Sequence, residues 1–275
     1  MRCNAAAAAE PLAGTAPLAR WWWLIEVPGP WGKRALEDCH VPVVRALDSN
    51  PQRRVLLVRR RGRHPAADPT APLRVWIAGG LRGDPPPRVA MVDNHEALLG
   101  WPDSGPPGND ARPDPHAPVL AVCANSARDL CCGLDGRALI QELDDDRAWE
   151  CSHLGGHRFA PTALLVGEGL VYGRLTASIA RGLLDNGPTP SSATSLRGRS
   201  GLPPVAQAAE AHLMGRSGLP ILGEPVIDES ESARTIVTFP DNSPVHLSRT
   251  TGTPRPASCG TAPEEWSGWR VLETA

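Results

Sequence analysis

Four residues able to hold a metal stand in two short segments of the chain. The first, Val122-Cys123-Ala124-Asn125-Ser126-Ala127-Arg128-Asp129-Leu130-Cys131-Cys132-Gly133, carries Cys123 and Cys132 with eight residues between them. The second, Trp149-Glu150-Cys151-Ser152-His153-Leu154-Gly155-Gly156-His157-Arg158-Phe159-Ala160, carries His153 and His157 with three. Two thiolates and two imidazoles suit zinc, or a 2Fe–2S cluster in which histidines replace two cysteines. A DNA-reading zinc finger is excluded by spacing, since it needs cysteines two to four residues apart and about twelve residues before its histidines. A catalytic thioredoxin presents Cys-x-x-Cys at a strand-to-helix turn, whereas this chain has the vicinal pair Cys131-Cys132. Thiol–disulfide exchange through Cys131, Cys132 or Cys151 is the weaker alternative.

For the four to converge, Cys123 has to leave the end of a strand and Cys132 has to open a helix, so that one loop brings both sulfurs together. That helix end would favour a thiolate at Cys132. The Gly155-Gly156 pair lets the chain turn tightly enough for both imidazoles to face one place. The surrounding pattern supplies such elements in the order βαβ, then ββα: a strand at 118–122, a helix at 134–145, a short strand at 149–152, a hairpin of 162–166 and 170–174 turning at Gly167-Glu168-Gly169, and a helix at 176–185 closed by Asn186-Gly187. That order matches a thioredoxin-like topology within an α/β fold, while periodicity alone also allows other small α/β folds.

The rest of the chain divides by composition. Residues 1–20 are Ala- and Pro-rich and read as a flexible arm. Residues 21–100 form an N-terminal α/β unit, with strands at 21–27, 54–58, 73–78 and 88–92 and a helix over 33–47 disturbed by Pro42. Residues 101–117 are a Pro-rich linker, 118–187 the thioredoxin-like domain, and 188–275 a C-terminal helix and β-rich extension. The hexapeptide Gly-Arg-Ser-Gly-Leu-Pro occurs at 198–203 and again at 215–220, too few copies for a solenoid. Trp21-Trp22-Trp23 reads as core packing, and Arg59-Arg60-Arg61-Gly62-Arg63 as a solvated strand end.

The net charge of −2 leaves no basic excess for a phosphate backbone, so nucleic acid is not an expected partner. No apolar stretch is long enough to span a bilayer, and the run Ala5–Ala9 breaks at Glu10-Pro11 before a signal sequence develops. Seven cysteines, an odd number spread over 275 residues, do not form a secreted disulfide framework. A cytoplasmic protein with reduced thiols is expected, with no membrane partner.

The segment Cys123–Gly133, together with Ser152-His153-Leu154-Gly155-Gly156-His157-Arg158-Phe159-Ala160, resembles the sucrase/ferredoxin-like family of thioredoxin-like 2Fe–2S ferredoxins. Glu26-Val27-Pro28-Gly29-Pro30-Trp31-Gly32 and the stretch from Arg199-Ser200 to Gln207-Ala208-Ala209-Glu210 are similar to its bacterial members. The resemblance implies a Cys-x8-Cys and His-x3-His ligand set at Cys123, Cys132, His153 and His157, with the cysteines on one iron and the histidines on the other. Histidine-ligated Rieske centres reach about −150 to +300 mV against about −400 mV for plant-type ferredoxins, so a high potential is expected, with electron uptake coupled to protonation where an imidazole nitrogen reaches water. A structural Cys2His2 zinc site is the alternative. Nothing supports sucrose hydrolysis: Asp144-Asp145-Asp146 is a solvated helix end, not two carboxylates facing each other across a sugar. No Gly-x-Gly-x-x-Gly fingerprint is present, so electrons are expected to come from and go to other, unidentified redox proteins.

Overall fold

The computed structural model describes residues 2–47, 52–62, 65, 68–106, 108, 110–114, 117–217, 223–231, 234–240 and 242–272. Apolar runs rich in Val, Leu, Ile and Trp form the interior strands, buried on both faces as a sheet covered on both sides requires. The first strands are β1 (Trp21–Glu26), β2 (Arg53–Arg59), β3 (Leu73–Gly79), β4 (Arg88–Val92) and β5 (Arg112–Pro113). They are followed by β6 (Val119–Cys123), β7 (Ala148–Cys151), β8 (Ala163–Val166), β9 (Leu170–Tyr172) and β10 (Leu196–Arg199). All ten lie in one mixed sheet in the order β10-β9-β8-β6-β7-β2-β1-β3-β4-β5. The fold is α/β, and strands from both sides of the segment 101–117 share this sheet.

Two halves of the sheet repeat one topology. In each, the first two strands are parallel, β1 with β2 and β6 with β7. The third runs antiparallel to the first, β3 on β1 and β8 on β6. The fourth runs antiparallel to the third, β4 on β3 and β9 on β8. The halves join where β2 meets β7 antiparallel, through Val58 opposite Cys151 and Arg59 opposite Glu150. Arg59, expected at a solvated strand end, is buried there: its guanidinium is 2.7 Å from Glu150 and lies 4.0 Å above the Trp31 ring. Arg63 of the same run lies outside the described residues. Although the topology is doubled, the ligand residues are not. At its last parallel pair the first half has Glu26 opposite Val58, where the second has Cys123 opposite Cys151.

Several elements depart from expectation. Residues 2–20, expected as a flexible arm, pack against the body of the chain. A short helix α1 (Cys3–Ala6) leads to Ala7, Glu10, Leu12, Ala16 and Ala19, all buried. Alanine costs little side-chain entropy to bury, and the Glu10 carboxylate is held 2.7 Å from the Arg158 guanidinium. The helix expected over 33–47 is reduced to α2 (Pro42–Ala46). Pro42 starts it, because a proline at the first helical position forfeits no intrahelical hydrogen bond. Of the three tryptophans of β1, Trp22 and Trp23 are core residues whose indole N–H groups are satisfied, Trp22 by the Ser200 hydroxyl at 2.8 Å and Trp23 by the Asp103 carbonyl at 2.8 Å, while Trp21 is only partly buried.

The helices that follow are α3 (Arg137–Leu143), α4 (Ala177–Asn186) and α5 (Pro204–Ser217). Thr176 caps α4, its hydroxyl accepting the Ile179 N–H. The alanine-rich α5 lies between β10 and a second sheet. That sheet is built from β11 (Val226–Glu231), β12 (Arg234–Thr238), β13 (Val245–Thr251) and β16 (Ser267–Val271), with a two-stranded ribbon of β14 (Arg255–Pro256) and β15 (Pro263–Glu264) between the last two in sequence. The first hexapeptide copy spans the end of β10 and the turn into α5. Residues 218–220 of the second copy lie outside the described residues. No helix among the described residues is long and apolar enough to cross a membrane.

Candidate metal centre

Cys123 is the last residue of β6 and is fully buried, with its N–H bonded to the Thr162 carbonyl at 2.9 Å. The chain turns through residues 124–129, becomes helical at Leu130 and Cys131 and enters a π-helical turn, Cys132–Gly136, that continues into α3. The helix therefore widens where Cys132 stands, a local geometry often found at functional sites. Two glycines let it lie against the loop. A Cβ at Gly133 would overlap Ser126, and one at Gly136 would overlap the carbonyl oxygen of Cys123. The turn thereby carries Cys132 back to Cys123.

The histidines follow β7. Gly155 and Gly156 both take left-handed backbone, φ +81° and +72°, as the Gly-Gly pair predicts. Gly156 is doubly constrained, since a Cβ there would also lie 2.5 Å from the guanidinium of Arg197. The turn stacks the His153 and His157 rings, with centroids 4.4 Å apart and planes 18° from parallel. His157 Nδ1 is 3.5 Å from Cys132 Sγ. Cys123 in turn interacts with Cys132, Cys151 and His153. The four expected residues thus form a closed ring of neighbours, Cys123 to Cys132 to His157 to His153 and back. Within it His153 Nδ1 is buried and has no hydrogen-bond partner among the described residues.

The expected sulfur charge is redistributed. The Cys132 and Cys151 thiols beside Cys123, with His153, outweigh burial and hold Cys123 well below the usual thiol range. Cys132 is raised, first by the adjacent Cys123 and then by burial. The thiolate expected at Cys132 from a helix end is therefore favoured at Cys123 instead. Burial, assisted by His153, lowers His157 to about 4, so its imidazole is neutral near pH 7, the form that binds metals. Asp129, in the loop between the two cysteines, turns inward. Its carboxylate, Cys132 Sγ and a His157 ring nitrogen lie within 4.8 Å of one another, a Cys/Asp/His group able to hold a metal ion.

The family model described as sucrase/ferredoxin-like matches residues 12–197. The chain belongs to the sucrase/ferredoxin-like family. A search of curated proteins and one of solved structures found no match. The sucrase/ferredoxin-like match contains both halves of the main sheet and all four expected ligands. It stops short of Cys3 on one side and, on the other, of the second sheet and of the ribbon loop with Cys259.

Two features of this family member escaped the sequence reading. Cys131 points away from Cys132, its Sγ lying 3.2 Å from Cys259 Sγ and 3.6 Å from Cys3 Sγ. Arg197, on β10, is buried beneath the histidine turn. Its guanidinium donates to the Gly155 carbonyl at 2.8 Å, to the Thr15 hydroxyl at 3.1 Å and to the Thr15 carbonyl. Burial and the nearby Arg158 lower its pKa to about 9, which leaves it cationic at neutral pH, facing the charge of Cys123 and Cys132. Arg158, next to His157 in sequence, is paired with Glu10. Neither Cys3, Cys259 nor Arg197 stands in a motif, so only the fold brings them into view.

Proposed function

We propose that this protein is a 2Fe–2S electron carrier, with Cys123 and Cys132 holding one iron and His153 and His157 the other. The observation that carries the reading is the closed ring of two thiols and two imidazoles. Thiol neighbours thiol, imidazole stacks on imidazole, and the buried Nδ1 of His153 is left without a partner. An unsatisfied buried nitrogen is costly unless something else binds it, and a metal is the ligand that imidazole and thiolate share. When bound, a 2Fe–2S cluster on two thiolates and two neutral imidazoles supplies a one-electron couple, neutral when oxidised and of charge −1 when reduced.

The chain's own groups shape that couple. Arg197, buried and cationic beside Cys123 and Cys132, stabilises added negative charge and so raises the potential. Tight packing around Cys123 and Cys132 excludes water from the sulfur side. His153 is only partly buried and lines a cavity of about 450 Å³ together with Lys33, Arg54, Arg128 and Arg34, the last of these paired with Glu37 of the same rim at 2.9 Å. With Nδ1 turned inward, its Nε2 is the atom able to exchange a proton with water as the charge at the site changes. The same basic rim favours approach of a redox partner with an acidic surface.

Visible absorption of anaerobically purified protein, combined with iron, sulfide and zinc assays, tests the reading. About two irons and two sulfides per chain are expected. Colourless protein with one zinc at the Cys2His2 ring and no sulfide would replace it with a structural zinc site.

A further inference from the structure

Three cysteine sulfurs meet away from the proposed cluster. Cys131 Sγ and Cys259 Sγ are 3.2 Å apart, Cys3 Sγ and Cys259 Sγ 3.5 Å, and Cys3 Sγ and Cys131 Sγ 3.6 Å. The Asp129 carboxylate oxygens lie 3.9 and 4.0 Å from Cys3 Sγ. All four ligand atoms fall within 4.8 Å of one another, with Cys3, Asp129 and Cys131 buried and Cys259 partly so. None of the seven cysteines is in a disulfide.

We infer that Cys3, Cys131, Cys259 and Asp129 form a second metal site, separate from the Cys2His2 ring, for a thiophilic divalent cation of the zinc class. Tetrahedral zinc with Zn–S near 2.3 Å places its sulfurs about 3.8 Å apart. Two sides of the observed triangle, 3.5 and 3.6 Å, are within a few tenths of an ångström of that spacing, and the 3.2 Å side between Cys131 and Cys259 would have to open by about 0.6 Å. A cation about 1.2 Å off the plane of the three sulfurs would reach each of them at bonding distance. The surroundings are already arranged for charge. The Cys3 N–H points at Cys259 Sγ at 3.5 Å, and the Asp129 carboxylate accepts from the Cys131 N–H at 2.8 Å, the Cys259 N–H at 2.8 Å and the Ser258 hydroxyl at 2.7 Å. Such outer contacts orient ligands in metal sites. Calcium and magnesium are disfavoured, because they take oxygen ligands.

The four residues come from three distant parts of the chain: the amino-terminal helix α1, the loop between β6 and the π turn, and the loop joining β14 and β15. A cation here would fasten both ends of the chain to the loop that carries Cys132. Asp129 lies between the two centres, since it is also within 4.8 Å of Cys132 Sγ and a His157 nitrogen. The role assigned is structural, holding that loop in place.

Metal analysis of the full chain, with zinc K-edge X-ray absorption, tests the site. About one zinc per chain is expected, with three sulfur scatterers near 2.3 Å and one oxygen near 2.0 Å. A His153→Ala/His157→Ala double variant should keep that zinc. Cys259→Ser should lose at least nine-tenths of it and keep the visible spectrum of the wild type. If Cys259→Ser does not fold, the sulfur count of the wild-type spectrum decides. Absence of zinc, zinc that leaves with the two histidines, or a two-dalton mass deficit from a Cys131–Cys259 disulfide under anaerobic purification would each overturn the inference.

Discussion

Cys131 and Cys132 are adjacent in sequence yet their sulfurs point into different clusters of side chains. The Cys132 sulfur lies 3.5 Å from His157 Nδ1, and the Cys131 sulfur lies 3.2 Å from Cys259. The π turn that begins at Cys132 separates them, so exchange of one sulfur for the other would require the turn to rewind. Serine at Cys123 or Cys132 should therefore bleach the protein and remove its iron. Serine at Cys131 should leave at least about half of the iron, as should serine at Cys151. Iron content and visible absorption of the four variants check this.

Arg197 sets the charge beside the site. Replacing it with methionine should lower the reduction potential by on the order of 50 mV, the equivalent of about 1 kcal/mol for a one-electron couple at an effective dielectric near 20. Arg197→Lys, which keeps the charge, should recover most of the shift. Spectroelectrochemical titration of the three proteins reads the difference.

The histidine turn depends on Gly156. Alanine there would need a left-handed backbone and would press on the Arg197 guanidinium. A loss of about 2 kcal/mol or more is expected, with loss of bound iron. Thermal melting and iron analysis of Gly156→Ala measure both effects, and Gly155→Ala, whose Cβ would meet nothing within 4 Å, should cost less.

In metal-free protein, His157 titrates at about 4, below its unfolded value of about 6.5. The unfolded chain binds the proton more readily, so this group's contribution to stability is present above pH 6.5. It is lost as pH falls through the interval from 6.5 to 4. The full contribution is on the order of 3 kcal/mol. Urea unfolding of the metal-free chain between pH 7 and 4 should show the decline, and His157→Gln should flatten it.

The seam between the two halves of the sheet rests on Arg59 and Glu150. Both are buried, so Glu150→Gln leaves a buried cation short of its counter-charge. Destabilisation of about 3 kcal/mol or more is expected. Equilibrium unfolding measures it, and the substitution should leave the visible spectrum intact in the folded protein.

The legible part of this molecule was local. The Cys-x8-Cys spacing, the His-x3-His spacing and the glycine pair between the histidines are written in neighbouring residues, and the strands around them are continuous apolar runs. What escaped was set at long range. Arg197 reaches Gly155 and Thr15 from a strand that the Ser/Pro/Gly-rich composition after Pro188 concealed. Cys3 and Cys259 meet Cys131 from opposite ends of the chain. The doubled topology leaves no repeat in the sequence, because hydrophobic strands can share a register without sharing residues. Arg59 looked solvated since its partner, Glu150, lies across a strand pairing that no local pattern encodes.

Under the proposed function, Cys123, Cys132, His153 and His157 together hold a 2Fe–2S cluster that accepts one electron. Electron paramagnetic resonance of dithionite-reduced wild-type protein, beside His153→Ala, His157→Ala and Cys132→Ser, tests it most directly. A spin-half signal of about one spin per two irons is expected in the wild type, with its loss in Cys132→Ser and its loss or altered g-values in both histidine variants. A wild-type protein with no iron and no such signal, or a signal unchanged by both histidine substitutions, would contradict it.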